Sequence, residues 1–161
     1  MRISRRAAAV AAAAVTGLAA LAGAGAAFAP SSTPQAHDTV QVLRLRADFV
    51  SAASNDAGHG GPGDLLAALF DIRTPSGAEA GKESVSCLAI PEHQQLCHSA
   101  FVLGGGQIEA QVAVPETATR FTAAIIGGTG IYEGVTGQIR NVESASGSID
   151  LTFCLTQPGQ H

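Results

Sequence analysis

Few side chains in this 161-residue sequence are equipped for chemistry, and their spacing limits what they can do together. Arg44 and Arg46 stand two apart in an alternating segment, so they share one face of a strand. On an outer face they are solvated charges. On the inner face of a closed barrel they become pocket charges. Asp64 and Asp71 are seven apart and fall on opposite faces of a strand, which excludes a carboxylate pair made by these two alone. Tyr132 is the single tyrosine and sits in a glycine-rich turn, where it either offers a phenolic proton or packs over the glycines. His59 lies among glycines and reads as solvated. No G-x-S-x-G elbow, H-E-x-x-H or C-x-x-C motif is present, and Cys97-His98 has no further ligands beside it to make a zinc site. No metal and no cofactor are expected.

The remaining reactive groups are Cys87, Cys97 and Cys154. In an exported protein an odd count suggests one disulfide and one leftover thiol. Cys87 and Cys97 are the expected pair. They flank Leu88 to Leu96, a polar stretch with Pro91 that reads as a hairpin loop. A bridge there pins the register of two neighbouring strands and contributes roughly 2–3 kcal/mol in the loop-entropy description.

Export itself is read from the first 29 residues. Arg2, Arg5 and Arg6 form a basic start, Ala7 to Ala22 an apolar run, and small residues close the segment through Ala29. The run is too short and too rich in alanine for a membrane anchor. Ala27-Phe28-Ala29 and Ala24-Gly25-Ala26 are both candidate cleavage sites. Ser4-Arg5-Arg6 could form a twin-arginine core, but no hydrophobic residue soon follows the pair, and ordinary secretion is the expectation. The alanine-rich style points to a bacterium with GC-rich DNA. Cleavage removes three arginines and leaves six basic against thirteen acidic residues, a formal charge of −7. That balance argues against nucleic acid and anionic membrane as partners.

The elements that must position these groups read as strands. Residues 30–38 form a flexible linker, 39–157 the folded domain and 158–161 a tail. The expected strands are Val40 to Phe49, Asp64 to Thr74, Ala80 to Ile90, Leu96 to Leu103, Gln107 to Val114, Arg120 to Ile126, Gly137 to Val142 and Ser148 to Leu155. The first alternates, with Leu43, Leu45 and Ala47 opposite Val42, Arg44 and Arg46. Asp64 to Thr74 has a continuous apolar centre compatible with a helix, but the turn at Pro75-Ser76-Gly77 comes too soon for a typical one. Ser51 to Gly63 reads as a long loop. Eight short strands with turn signals between them suggest a sandwich or an all-β up-and-down barrel, and eight close into a barrel that holds side chains or one small ligand.

The segment Gly127-Gly128-Thr129-Gly130-Ile131-Tyr132-Glu133-Gly134-Val135-Thr136-Gly137-Gln138-Ile139 looks at first like a phosphate loop. The G-x-G-x-x-G spacing fails, since position 133 is Glu133 and Gly134 comes one residue late. No Lys-Ser/Thr follows, and the next segment reads as strand, so no helix N-terminus is there to hold a phosphate. The same segment resembles the signature G-G-[TS]-G-x-[YF]-x-G-[AV]-x-G-x-[VI] of dirigent proteins and allene oxide cyclases. Further marks fall in the family's order: Gly63-Asp64, Gly81 followed by Cys87, Phe101 with Gly104 to Ile108, and Thr152-Phe153-Cys154-Leu155. The resemblance spans residues 40 to 155. It implies an eight-stranded antiparallel, calycin-like barrel with an apolar cavity, commonly trimeric, so a homo-oligomer is expected.

About activity the resemblance implies less. Of the allene oxide cyclase site only the cysteine has a counterpart, as Cys87, and that residue is expected in the disulfide. The first-strand pair falls near Arg44 and Arg46, the second-strand asparagine near Phe70 and the tyrosine near Val114. These departures argue against jasmonate-type cyclisation. Dirigent proteins use pocket aspartates, and Asp64 fits the family's Gly-Asp position. The expected protein is a secreted barrel that binds a small apolar molecule and steers its cyclisation, isomerisation or coupling. Arg44, Arg46, Asp64 and Tyr132 are its candidate pocket residues. The alternative is a non-catalytic ligand-binding or structural extracellular barrel.

Overall fold

The computed structural model describes residues 38–55 and 61–158. The proposed signal segment, most of the linker and His59 lie outside the described residues. The described chain forms eight strands: β1 (Thr39–Ser54), β2 (Leu65–Arg73), β3 (Glu79–Ile90), β4 (Gln94–Leu103), β5 (Gly106–Pro115), β6 (Arg120–Gly130), β7 (Thr136–Glu143) and β8 (Ile149–Gln157). Each pairs antiparallel with its sequence neighbour, and β8 pairs with β1, so the sheet closes into an up-and-down barrel with no open edge.

Alternation in sequence sets the two faces. On β1, Leu45 and Ala47 are buried in the core while Arg44 and Arg46, on either side of Leu45, point to the opposite face. On β8, Leu151, Phe153 and Leu155 are buried with intermediate residues between them. The core gathers these with Ile72, Phe101, Ile108, Ile125 and Ile139. Phe101 and Phe153 meet edge to face at its centre, with ring centroids 5.0 Å apart.

Several boundaries differ from the expectation. The loop expected from Ser51 begins later, because β1 runs on to Ser54. An irregularity between Phe49 and Ser51 shifts the register by one residue, and Ser51 to Ser54 then pair with Leu69 to Leu66. The hairpin between Cys87 and Cys97 is also tighter than expected. Leu88 pairs with Leu96 and Ile90 with Gln94, leaving Pro91 to His93 as the turn. Glu92 and His93 adopt the left-handed conformation there, with φ of 67° and 54°. The segment expected from Asp64 to Thr74 forms a strand over Leu65–Arg73, as its turn signal suggests.

The glycine-rich segment divides between strand and turn. Gly127 to Gly130 belong to β6, and the turn itself is Ile131 to Val135. A side chain at Gly128 would collide with the backbone carbonyls of Tyr132 and Gln107. Glycine is required there because the turn folds back onto the strand it has just left. Val135 is almost fully buried, and Tyr132 packs against the core cluster. Together with Leu103, Ile125 and Leu155 they fill this end of the barrel with apolar side chains.

Candidate functional site

Away from that filled end, the barrel encloses a chamber of about 200 Å³. Its walls are mainly apolar and include Phe70 of β2, Val85 of β3, Phe101 of β4, Val112 of β5, Phe121 of β6 and Ile139 of β7. Four polar side chains interrupt them: Glu83, Gln95, Ser99 and Asn141. Near the β1–β2 loop a second depression, lined by Asp64, Leu65, Glu116 and their neighbours, shares Leu66, Cys87 and Gln95 with the chamber. This end is the chamber's mouth. A larger hollow of about 430 Å³ lies along β1 to β4, beside Ala67, Leu69, Ser84, Ser86 and His98, and is broadly open to solvent. No residue lining it is fully buried. The enclosed chamber is the better ligand site, because an apolar molecule gains most where its surface leaves water.

Glu83 is the one ionisable group among the chamber's lining residues once the cysteines are bonded. It is only 5 % exposed. Its position follows from the parity of β3: Glu83 and Cys87 are buried, whereas Lys82, Ser84, Ser86 and Leu88 are exposed. Burial among apolar walls disfavours the carboxylate and pushes the Glu83 pKa up to about 7, against a partial opposing effect of a hydrogen bond with Ser99. Near neutrality both its protonated and its ionised forms are therefore accessible. Asn141, 7 % exposed, faces inward from β7 beside Ile139, and its Nδ2 donates to the Ile139 carbonyl at 3.1 Å.

Cys87 and Cys97 pair directly across β3 and β4 and form a disulfide, with Cα atoms 4.0 Å apart. Both sulfur-bearing residues line the chamber, so the bridge belongs to its wall. Cys154 is a free thiol of intermediate exposure.

The four residues singled out from sequence lie elsewhere, and they do not come together. Arg46 is on the outer surface, paired with Asp48 at 3.0 Å. Arg73 bridges Asp48 at 3.2 Å, and Lys82 meets Asp71 at 2.7 Å, which makes an ion-pair ladder across β1, β2 and β3. The Lys82 hydrogen bond holds the Asp71 carboxyl below the usual carboxylate range. Arg44 is exposed, on the same outer parity as the half-buried Arg46. Asp64 sits at the mouth, where it accepts a hydrogen bond from the Gly61 amide at 2.6 Å and shapes the loop. Tyr132 is at the filled end, opposite the mouth. Glu83 and Asn141 were not identified from sequence. The signal that could have found them is parity: each is a polar residue standing in line with the buried members of its strand.

No protein-family model matches the chain, and no curated protein matches it. Solved structures do. A pyocyanin demethylase superposes with a TM-score of 0.65 at 24% identity, covering 71% of this chain and 99% of that one. The Diels-Alderase AbmU from Streptomyces koyangensis gives 0.61 at 18% identity over 74% of this chain, which spans 64% of that protein's length. The pterocarpan synthase dirigent protein GePTS1 gives 0.60 at 14% identity, over 82% and 99%. At these identities the likeness establishes a shared barrel fold and nothing finer.

Proposed function

We propose that the chain is an exported barrel that binds a small apolar molecule in its interior chamber and steers its isomerisation, cyclisation or coupling. Glu83 serves as the proton donor and acceptor. The observation that carries this reading is a single buried carboxyl in an interior chamber whose walls are mainly apolar. A group with both protonation states accessible near neutral pH can give a proton to a developing oxyanion and take one back, and such catalysis is typically worth about 10²–10⁴-fold in rate. The chamber contributes the rest by holding a flexible substrate in one reactive shape. No metal or cofactor enters the proposed chemistry.

The named activities of the structural neighbours support this reading without fixing it. A demethylase, a Diels-Alderase and a pterocarpan synthase all use this barrel on small molecules. The Cys87–Cys97 bridge suits an extracellular setting. Arg44, Arg46, Asp64 and Tyr132 have supporting roles in the proposal, in surface charge, mouth shape and closure of the far end.

The test incubates the purified protein with candidate polyenes, epoxides and phenolic radicals and reads product stereochemistry, beside Glu83→Gln. The expected result is a shifted product distribution that the variant loses while still binding. Measurable binding with an unchanged product distribution would overturn steering and leave a carrier.

A further inference from the structure

The chamber's polar groups are arranged in a way that narrows what it can hold. Glu83 and Ser99 are on β3 and β4, whereas Asn141 is on β7. In a closed ring of eight strands, β3 and β7 are four pairings apart in either direction, so they are opposite walls. Both residues line the same chamber.

Their free hydrogen-bonding capacities differ. The Asn141 amide nitrogen is engaged by the Ile139 carbonyl, and no hydrogen bond among the described residues ends on its Oδ1. Because Asn141 lines the chamber, that oxygen is an acceptor open to an N–H or O–H donor there. On the other wall, the Ser99 hydroxyl engages the Glu83 carboxyl. The protonated carboxyl keeps an O–H that can be donated to a carbonyl. Between these two points the walls include the rings of Phe70, Phe101 and Phe121, which favour a flat π-system.

Size gives the third constraint. An engineered protein cavity of roughly 150 Å³ accommodates a benzene. A chamber of about 200 Å³ therefore accepts a somewhat larger flat molecule, of two fused rings.

Resting on the reading of the chamber as a ligand site, we infer that its ligand is a flat, conjugated two-ring molecule with a hydrogen-bond donor at one end and a carbonyl acceptor at the other. It lies across the barrel, donor toward Asn141 and acceptor toward Glu83.

Three probes of nearly equal shape test this by titration calorimetry on the full chain. 4-Quinolone has a ring N–H opposite its carbonyl. Chromone replaces that N–H with an ether oxygen, and naphthalene has neither polar end. The expected order is 4-quinolone about tenfold tighter than chromone, the contribution of one buried hydrogen bond, with naphthalene weaker still. Asn141→Leu is expected to erase the 4-quinolone preference while leaving chromone within about twofold, which also reports an intact chamber. Glu83→Leu is expected to bring chromone down to naphthalene. Equal binding of 4-quinolone and chromone, or a preference that survives Asn141→Leu, overturns the donor–acceptor assignment while the ligand site stands. Failure of all three probes to bind overturns both readings.

Discussion

Replacing Glu83 with glutamine should make the protein more stable, and increasingly so as pH rises. The carboxyl is buried in an apolar chamber, and its pKa rises from 4.5 to about 7 on folding. A group that binds its proton more tightly when folded stabilises the native state fully below its unfolded pKa. That contribution is lost as pH rises through the interval up to the folded pKa. Each tenfold gain in proton affinity on folding corresponds to about 1.36 kcal/mol, so the wild type should lose about 3 kcal/mol between pH 4 and pH 8 through this residue. Glutamine has nearly the same shape, does not titrate, and can still bond Ser99. The two proteins should therefore differ least near pH 4, and their difference should grow by about 3 kcal/mol and level off above pH 7, on the order of 10 °C in Tm. Urea unfolding of both proteins at closely spaced pH values is the assay. Other titrating groups cancel in the difference because both proteins share them. Curves that stay parallel from pH 4 to pH 8 would refute the claim that Glu83 is buried as a titrating acid.

Other substitutions separate the wall from the surface. Replacing both Cys87 and Cys97 with serine should cost about 3 kcal/mol, the entropy of opening a short loop in the unfolded chain, read as a lower urea midpoint. Phe101→Ala removes half of the central edge-to-face pair and should cost about 3–5 kcal/mol. Arg46→Ala, by contrast, breaks a part-buried ion pair on the outer face and should change stability by about 1 kcal/mol or less, an effect that added salt weakens. Gly128→Ala places a methyl group against two backbone carbonyls and should lower Tm more than Gly77→Ala, where the surrounding space is open and only the left-handed backbone resists a side chain.

Most of the barrel was legible because strand periodicity is a local property. Leu43, Leu45 and Ala47 declare one face of β1, and turn residues mark nearly every strand end. The ends that moved were set by pairing, which a single strand does not record. β1 passes Val50 because β2 offers partners as far as Leu66, and a register shift absorbs the mismatch. A similar irregularity between Glu109 and Ala110 skips Ile126 in the pairing of β5 with β6, and strand alternation exposes Ile126 beside buried Ile125 within what reads as one uniform apolar run. The site was less legible than the fold. In β3 the serines and alanines are small enough for either face, so the parity that buries Glu83 is faint beside the conspicuous Cys87. In β7, Asn141 shares the parity of buried Ile139, but a strand this short and polar carries only that one apolar mark to set its inner face. The arginines of β1 are conspicuous because charge is visible in a sequence. Arg46 pairs with Asp48 on its own strand, but the contacts that extend this pair into a ladder, Arg73 to Asp48 and Lys82 to Asp71, join residues of different strands.

The filled end beneath Val135 and Tyr132 has a kinetic consequence. With one end plugged by side chains, the chamber is blind-ended, and whatever enters past Leu66 and Gln95 must leave by the same route. In the proposed role, substrate and product compete for that single passage. Product should act as a competitive inhibitor, and a reaction that joins two molecules must load the deeper one first. Turnover would be governed by how readily the finished molecule clears the rim, and a product bulkier or stiffer than its precursor would slow the cycle at release.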